Sequence, residues 1–267
     1  MTNPTTNDTA RPRALITGAS AGIGVEFARQ LAKRGYDLVL AARRKERMDA
    51  LAEELSDATV EVVAVDLVTD EGVGELETML RSGSIDLLVN NAGYGTFGEF
   101  AKLPLDRELA QLDLNVRALM RLSHAAAVPM VERKRGAIIN VASAAAFQAI
   151  PYNATYSATK AFVLHFSEAL HEELKPHGVT VTCLCPGPVK TEFQEVAGLD
   201  ADGIPAMAWM SAASVVSSAI SAMRSGRAIT IPGALNMATA ASSKFAPRFL
   251  TRRIAAAMFR NRATGDG

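Results

Sequence analysis

The sequence predicts an α/β fold in which a seven-stranded, mostly parallel sheet carries helices on both faces. Short apolar or β-branched runs alternate along the chain with segments of helical periodicity, and this alternation requires right-handed crossovers between parallel strands. The 267 residues suit one such domain, because no low-complexity spacer interrupts the chain between Arg13 and Arg224. Ligands are then expected beyond the carboxyl ends of the strands, near the point where the strand order reverses.

Seven runs are predicted to be the strands. In order they are ALIT (14–17), DLVLA (37–41), VEVVAV (60–65), DLLVN (86–90), GAIINVAS (136–143), VTVTCLC (179–185) and AITI (228–231). The segments between them place apolar residues on one helical face, as Phe27, Ala28 and Leu31 do in the first, where Gly35 supplies the stop. Each predicted helix therefore connects one strand to the next.

The two ends of the chain differ from this core in composition. Residues 1–12 are polar and rich in Thr and Asn, which predicts a flexible tail, and they lack the apolar stretch of a secretory signal. Residues 13–243 are predicted to form one α/β domain. Residues 244–267 are predicted to form a basic amphipathic helix and a tail.

Charge and cysteine content limit the partners and the compartment. Lys plus Arg equals Asp plus Glu at 28 each, so no overall field attracts nucleic acid or an anionic membrane, and no nucleic-acid partner is expected. Cys183 and Cys185 alternate with Leu184 in an apolar run, where they share a strand face but are poorly placed to bridge. We expect reduced core cysteines in a cytoplasmic protein, and no metal site.

The sequence TGASAGIG (17–24) forms the turn between the first predicted strand and its helix. Gly18, Gly22 and Gly24 have no Cβ atoms, so backbone N–H groups can approach a pyrophosphate at the positive end of the helix. A tight connection that needs glycine only for its backbone angles is the alternative. The spacing G-x-x-x-G-x-G also differs from the G-x-G-x-x-G of the common dinucleotide fingerprint.

Tyr156 and Lys160 lie four positions apart in the helical segment ATYSATKAFV, so both side chains occupy one face. A general acid or base works best when its pKa lies near the operating pH, and a phenol with a pKa of about 10 is poorly matched to neutral pH. A neighbouring ammonium favours the phenolate, so we expect Lys160 to lower the pKa of Tyr156. Ser143, just beyond the fifth strand, could hold the substrate oxygen. An ordinary core tyrosine and a solvated lysine are the alternative.

Together these motifs resemble the short-chain dehydrogenase/reductase family. The resemblance rests on TGASAGIG, NNAG (90–93), Ser143, YSATK (156–160) and PGPVKT (186–191), which occur in the family's order over residues 13 to about 231. It implies a doubly wound Rossmann-type fold and a catalytic set of Asn115, Ser143, Tyr156 and Lys160. In that set Tyr156 is the general acid/base, Lys160 also binds the nicotinamide ribose, and Asn115 positions a water for proton relay.

The resemblance also implies the cofactor contacts, most of them in the turns that follow the predicted strands. They are Gly18, Ser20, Gly22, Ile23, Gly24, Asp66, Leu67, Asn91, Ala92, Gly93, Tyr156, Lys160, Pro186, Gly187, Val189 and Thr191. Asp66 and Leu67 resemble the family's adenine contact, and Thr191 resembles its contact with the carboxamide or the pyrophosphate.

The end of the second predicted strand indicates which nicotinamide is used. Ala41 and Ala42 stand where NAD-binding domains place an acidic residue, and Arg43 and Arg44 follow. A carboxylate there would repel a 2′-phosphate, whereas a guanidinium binds it with two donors. We therefore predict NADP(H), with Arg43 as the main phosphate contact and Ser20 as a second candidate. Two arginines that merely begin a surface helix are the alternative.

The segment after the sixth strand is where members of this family differ most. Its apolar side chains, with two from the Ser143 side, either line a substrate pocket or pack a lid helix; they are Phe147, Tyr152, Phe193, Met207, Trp209 and Met210. No charged residue is placed to hold a charged substrate, which favours an uncharged, apolar carbonyl or alcohol. A catalytically idle NADP-binding or scaffold protein of the same fold is the alternative, and the four catalytic residues favour the enzyme.

The segment KFAPRFLTRRIAAAMFRNR (244–262) carries six basic residues and no acidic one. After Pro247 it is predicted to form a helix whose apolar stripe is Leu250, Ile254 and Met258. The same chain, a partner subunit or a lipid surface could cover that stripe. Because the family often assembles through long helices, we expect a homo-oligomer, and peripheral membrane contact through this helix is the second possibility.

Overall fold

A computed structural model describes residues 11–198, 206–245 and 247–263 of the chain. Its strands are β1 (Arg13–Thr17), β2 (Asp37–Ala42), β3 (Val60–Ala64), β4 (Leu87–Asn90), β5 (Gly136–Val141), β6 (Val179–Leu184) and β7 (Ile229–Thr230). They form one sheet in the order β3-β2-β1-β4-β5-β6-β7, and every neighbouring pair is parallel. The predicted seven-stranded sheet is confirmed, and it is parallel throughout.

Helices connect the strands. They are α1 (Gly22–Ala32), α2 (Lys45–Glu54), α3 (Asp70–Arg81), α4 (Leu105–Leu112), α5 (Leu119–Glu132), α6 (Ala154–Leu174), α7 (Phe193–Ala197), α8 (Ala212–Arg224), α9 (Ala234–Phe245) and α10 (Arg248–Ala263). A π-helix over Asp113–Ala118 joins α4 to α5, and short 3₁₀ turns occur at Phe100–Lys102, Ala144–Phe147, Lys175–His177 and Ala206–Ala208.

Each face of the sheet is covered by its own helices, because alternate strand residues point in opposite directions. On one face Ile16 packs in a core with Phe27, beneath α1, α2 and α8. On the other, Leu15 packs with Leu76 of α3 and Leu122 of α5. Full burial of such a side chain contributes about 1.5–3 kcal/mol to folding. The fold is therefore doubly wound and Rossmann-type, as the sequence predicts.

The strand order reverses between β1 and β4, which are neighbours in the sheet but not in the chain. The ends of these two strands are tied together. Thr17 Oγ1 accepts hydrogen bonds from the backbone N–H groups of Asn91 and Ala92, both at 3.0 Å, and Asn91 Nδ2 donates to the Thr17 carbonyl at 2.9 Å. These hydrogen bonds fix the two strand ends next to each other at the reversal, where a ligand-binding crevice is expected.

Two residues of the predicted N-terminal tail contact the domain. Residues 1–10 of the predicted tail lie outside the described residues, but Arg11 donates to the Gly35 carbonyl at 3.0 Å and Pro12 accepts from Asp37 N at 2.9 Å. At the other end, the predicted boundary between residues 243 and 244 falls inside α9, and residues 264–267 lie outside the described residues.

The C-terminal helix begins at Arg248, directly after Pro247, but its buried face differs from the predicted stripe. Ile254 is 53% exposed, whereas the next residue, Ala255, is 4% exposed. The side chains of Leu250 and Met258 lie outside the described ones. Thr251 and Phe259, four residues before and after Ala255, are both partly buried. The covered face is thus shifted by one residue, because packing on the chain, not hydrophobicity alone, sets the rotation of the helix.

Cys183 and Cys185 are buried and free, with their sulfur atoms 3.7 Å apart. His171 is buried and its Nδ1 lies 2.7 Å from the Val181 carbonyl oxygen, as befits a packed histidine. Within the described residues we find no cluster of side chains suited to a metal ion, and no helix there has the length and apolarity that crossing a membrane requires. The cytoplasmic location stays a prediction.

Candidate active site

A cavity of about 670 Å³ lies at the carboxyl ends of the strands, across the reversal between β1 and β4. It is lined by the turns that follow β1 to β6, by α6, and by residues of the C-terminal helices α9 and α10. Of the predicted site residues, the lining includes Gly18, Ser20, Gly22, Ile23, Arg43, Asp66, Leu67, Asn91, Ala92, Gly93, Ser143, Tyr156, Lys160, Pro186, Gly187, Val189 and Thr191. The fold therefore brings together motifs that are spread over more than 170 positions of the sequence.

The glycine turn after β1 approaches its neighbours too closely for side chains. Gly18 has φ of +67°, and a Cβ atom on it would lie 2.9 Å from the Cα of Ala92. Gly22 has φ of +53°, and its Cβ would lie 2.9 Å from Thr191 Cγ2. The N-cap residue Ala21 makes no side-chain cap hydrogen bond, which leaves the start of α1 open to an anion. These features fit the pyrophosphate of a dinucleotide.

Gly24, also predicted as a cofactor contact, is not part of the cavity lining. A Cβ atom on Gly24 would lie 2.3 Å from the Gly18 carbonyl oxygen. This glycine therefore allows α1 to pack against the turn. The spacing of the motif predicted a glycine here but not which of the two functions it has.

Arginines dominate the end of β2. Arg43 is exposed, lines the cavity and makes no ion pair with any described residue. Arg44 donates through Nε to Ser20 Oγ at 3.2 Å and is 2.8 Å from Glu192 Oε2, while Arg47 is 2.5 Å from Glu192 Oε1. The two guanidinium groups lower the pKa of Glu192 through hydrogen bonds. Glu192 was not among the predicted site residues, because it lies in the segment after β6, on the far side of the cleft.

Lys160 and Tyr156 project from α6 toward β5, and both are buried. Lys160 Nζ donates to the Val141 carbonyl oxygen at 2.8 Å and lies 5.7 Å from the centroid of the Tyr156 ring. Burial lowers the pKa of Lys160 to about 8, and the nearby Cys183 and Cys185 oppose that change. The ammonium is thus held beside the phenol at the cost of desolvation.

The expected lowering of the Tyr156 pKa is not found. Burial raises the pKa of this phenol to about 12, and a hydrogen bond with Ser143 opposes the rise. The physical reason is that the free-energy cost of removing a phenolate from water is larger than the stabilisation available from its neighbours. The phenol is consequently held in its protonated form.

Ser143 faces Tyr156 from the N-terminus of the 3₁₀ turn that follows β5. Its Oγ accepts a 3.1 Å hydrogen bond from Ala145 N, which fixes the side chain while leaving its hydroxyl hydrogen available to donate. The two hydroxyl groups therefore converge on one region of the cavity, where a carbonyl oxygen can accept from both.

Asn115 supports the site from below and does not line the cavity. It lies in the π-helix, and such irregular turns often occur at functional sites. Its side chain accepts from Tyr94 N at 3.2 Å and donates to the Tyr94 carbonyl at 2.9 Å. A Cβ atom on Gly93 would lie 2.9 Å from Asn115 Oδ1 and 3.4 Å from Lys160 Nζ. The amide and the ammonium therefore approach the same side of Gly93.

Only Phe193 among the six apolar candidates lines the cavity. Its ring centroid lies 5.4 Å from that of Tyr156. Met210 instead packs against the core beneath α1 and donates its backbone N–H to Pro188, Met207 is 80% exposed, and Phe147 packs beside the core under α6. Tyr152 and Trp209 are partly buried outside the lining. Phe147 and Met210 thus pack against core clusters, and neither lines the cavity.

Nine further residues that were not predicted also line the cavity. They are Tyr94, Phe97, Leu114, Gln148, Ile150, Asn153, Gln194, Thr239 and Phe259. Asn153 was a detectable candidate, since it directly precedes α6 and its polar side chain interrupts an apolar stretch. Phe259 was not, because only the tertiary fold brings α10 to this cavity.

Known proteins are similar to this chain over most of its length. A sequence model described as short chain dehydrogenase matches residues 12–201. An uncharacterized oxidoreductase of Myxococcus xanthus is 40% identical over 184 residues, which are 67% of this chain and 73% of that protein. A very-long-chain 3-oxoacyl-CoA reductase of Bos taurus is 35% identical over 190 residues, which are 68% of this chain but only 61% of the bovine protein.

Two solved structures are similar over a larger part of the chain. A short-chain dehydrogenase from Sphingobium yanoikuyae in complex with NADPH has a TM-score of 0.79 and 38% identity, covering 83% of this chain and 87% of that one. A bulky-bulky ketone specific alcohol dehydrogenase from Comamonas testosteroni has a TM-score of 0.75 and 36% identity, covering 83% and 86%.

Proposed function

The chain belongs to the short-chain dehydrogenase/reductase family of oxidoreductases, and we propose that it transfers a hydride between NADP(H) and an uncharged, apolar carbonyl or alcohol. The observation that carries this proposal is the shared cavity. Tyr156, Ser143 and Lys160 line the same space as the glycine turn after β1. A proton donor, an oxygen-binding hydroxyl and a nucleotide cradle are thus within reach of one bound substrate.

The residues present fit a dinucleotide in several places. The backbone around Gly18 and Gly22 would hold the pyrophosphate, Asp66 and Leu67 the adenine, and Lys160 the nicotinamide ribose. The bound nicotinamide supplies or accepts the hydride. The close approach of Gly18 to Ala92 supports this assignment, because a side chain at Gly18 would clash with the strand end that borders the crevice.

In the proposed reduction, Tyr156 gives its hydroxyl proton to the substrate oxygen as that oxygen gains negative charge. Ser143 donates a hydrogen bond to the same oxygen and orients the carbonyl. Lys160 stabilises the phenolate that remains. The raised pKa of Tyr156, about 12, supports the acid role, because the phenol is protonated at neutral pH. Asn115 holds the backbone of Tyr94, and we assign it the positioning of a proton-relay water near Lys160.

Preference for NADP(H) over NAD(H) rests on charge. No carboxylate follows β2 directly, and Arg43 has no ion-pair partner among the described residues. A free guanidinium at this point suits a 2′-phosphate. The NADPH complex of the similar dehydrogenase from Sphingobium yanoikuyae supports the same choice.

The lining also supports an uncharged substrate. Its charged residues are Arg43, Arg44, Asp66, Lys160 and Glu192, and all but Lys160 lie toward the adenosine end. Phe193 packs beside Tyr156, and Phe97 and Phe259 line the same cavity. The similar alcohol dehydrogenase of Comamonas testosteroni is described as specific for bulky-bulky ketones, which supports the same substrate class here.

Exposed apolar side chains support assembly into a homo-oligomer. On α4, α5 and α6 they are Leu105, Leu109, Leu112, Met120, Val128 and Phe162. Apolar surface of this kind on neighbouring helices is typical of subunit interfaces. We assign these helices to the interface, and static light scattering of the purified protein tests the assignment.

The experiment that tests the function is a panel of ketones and alcohols with NADPH or NADP⁺, followed by cofactor absorbance. We expect reduction of at least one bulky, uncharged ketone. Tight NADPH binding without turnover of any compound would instead support the catalytically idle protein of the same fold.

A further inference from the structure

Two phenylalanines from distant parts of the chain meet at the edge of the cavity. Phe97 follows β4, Phe259 lies on α10, and their ring centroids are 5.7 Å apart at an interplanar angle of 65°. Both rings line the cavity that contains Tyr156. Edge-to-face contact at this distance is the favourable geometry for an aromatic pair. The pair lies partly outside residues 12–201, which match the family's sequence model.

The position of α10 places Phe259 in this contact. Ala255, one turn earlier, is 4% exposed, whereas Arg252, Arg253 and Ile254 are exposed. Residues four apart lie on one helical face, so the face that carries Ala255 also directs Phe259 inward. Among the side chains described for α10, Phe259 is the one that lines the cavity.

The segment that carries Phe97 contacts residues beside Tyr156. Asn153, the residue before α6, donates through Nδ2 to the Thr96 carbonyl at 2.6 Å. At Gly95 a Cβ atom would lie 3.1 Å from Tyr156 Cδ2 and 3.3 Å from Phe193 Cζ. The segment that carries Phe97 therefore packs directly against the proposed acid. A shift of this segment would move both the aromatic wall and the space beside Tyr156.

We propose that Phe259, together with Phe97, is the residue pair that determines substrate specificity, and that it favours ketones carrying a bulky apolar or aryl group. This inference rests on the proposed function. The two rings form one apolar wall, and Phe193 beside Tyr156 forms another, so a bulky group on the carbonyl carbon has aromatic surface to contact. A small ketone gains little from the wall, because its substituents end near Tyr156.

The test compares Phe259→Ala with Phe249→Ala, the same substitution at a phenylalanine of the same helix that is 57% exposed. For an aryl ketone we expect Phe259→Ala to lower kcat/KM about 10- to 100-fold, mainly through KM, the scale of a lost apolar contact in a pocket. For a small aliphatic ketone, and for NADPH affinity, we expect changes within about threefold. Phe249→Ala should match wild type throughout, and Phe259→Leu should recover part of the loss.

Equal losses for both ketones, or equal behaviour of Phe259→Ala and Phe249→Ala, would overturn the inference. Calorimetric titration of the aryl ketone into the NADP⁺-loaded proteins keeps the test independent of turnover. If Phe259→Ala binds the aryl ketone more weakly than wild type and Phe249→Ala does not, the aromatic wall is supported. This holds even if wild type reduces no ketone, an outcome that would contradict only the proposed function. Unchanged affinity of Phe259→Ala for the aryl ketone, or no binding of this ketone to wild type, would contradict the proposed role of the aromatic wall. Phe259→Leu serves as the test variant if Phe259→Ala fails to fold.

Discussion

Lys160 Nζ donates a 2.8 Å hydrogen bond to the carbonyl oxygen of Val141, the last residue of β5. This contact holds the ammonium 5.7 Å from the centre of the Tyr156 ring, in a position where the lysine is 5% exposed. Desolvation lowers the pKa of Lys160 to about 8, so the amine is still largely protonated at neutral pH. The site therefore contains a buried charge that disfavours folding and that the proposed chemistry uses.

We expect Lys160→Met to change how stability depends on pH. The unfolded lysine loses its proton near 10.5 and the folded one near 8, so between these values the unfolded state binds one proton more. Wild-type stability should then rise with pH relative to the variant, by about 1.4 kcal/mol per pH unit and about 3 kcal/mol in total. Below about pH 8 both states are protonated and the difference is constant.

Denaturant titrations of both proteins between about pH 7 and 10 measure this difference. Lys175→Met is the matched control, because Lys175 is exposed at the end of the same helix. A pH-independent difference between wild type and Lys160→Met would show that the buried ammonium does not carry this penalty.

Tyr156→Phe removes one hydroxyl and leaves the ring that packs against Phe193. We expect turnover of any accepted ketone to fall at least about a hundredfold, the usual scale for a lost proton-transfer group, with NADPH affinity unchanged. Tyr36→Phe, which alters a half-buried phenol outside the cavity lining, should match wild type. Activity of Tyr156→Phe within about threefold of wild type would remove this residue from the mechanism.

Arg43→Ala should weaken NADPH binding selectively. A lost charge-assisted pair with the 2′-phosphate costs about 1–3 kcal/mol, and NADH has no such phosphate. Fluorescence titration with both cofactors gives the ratio of affinities. Arg34→Ala, an exposed arginine on the turn after α1, controls for the lost surface charge. If wild type already prefers NADH, Arg43 and Arg44 merely begin a surface helix.

Glu192→Gln tests the carboxylate that reaches Arg44 and Arg47 from the opposite side of the cleft. This group competes with a 2′-phosphate for Arg44 and repels it, so we expect the variant to bind NADPH about three- to tenfold more tightly, and less so at high salt. NADH affinity should change little. Glu54→Gln breaks a similar exposed pair with Arg29 away from the cavity and should leave both affinities unchanged. Weaker NADPH binding in Glu192→Gln would contradict this reading.

These sites show which parts of the structure local sequence determines. The strand ends and α6 were predictable, because periodicity sets each element and a parallel sheet gathers its carboxyl ends on one edge. Glu192 and Phe259 were not, since their positions depend on where the segment after β6 and the helix α10 pack. The pKa of Tyr156 also differed from expectation. A charge at i+4 is visible in the sequence, whereas the depth of burial that outweighs it is a property of the whole fold.

Deleting residues 247–267 removes α10 and leaves α9 intact. None of the residues assigned to the cofactor lies on α10, so NADPH affinity should stay within about threefold of wild type. Turnover of a bulky ketone should fall more strongly, because Phe259 is lost from the cavity wall. Loss of NADPH affinity in parallel with activity would show instead that α10 is integral to the nucleotide-binding fold.

The outer face of α10 is tested separately by the double variant Phe249→Ser, Ile254→Ser, which keeps Phe259. These two side chains are 57% and 53% exposed beside the exposed Arg252 and Arg253, so they contribute little to the packing of the chain itself. If the face contacts a partner subunit, the variant should have a lower mass in light scattering. If it contacts lipid, the variant should lose co-sedimentation with vesicles of anionic phospholipid while its mass is unchanged. If the double variant has the mass and the vesicle binding of wild type, α10 contacts only its own chain, through the inner face at Ala255 and Phe259.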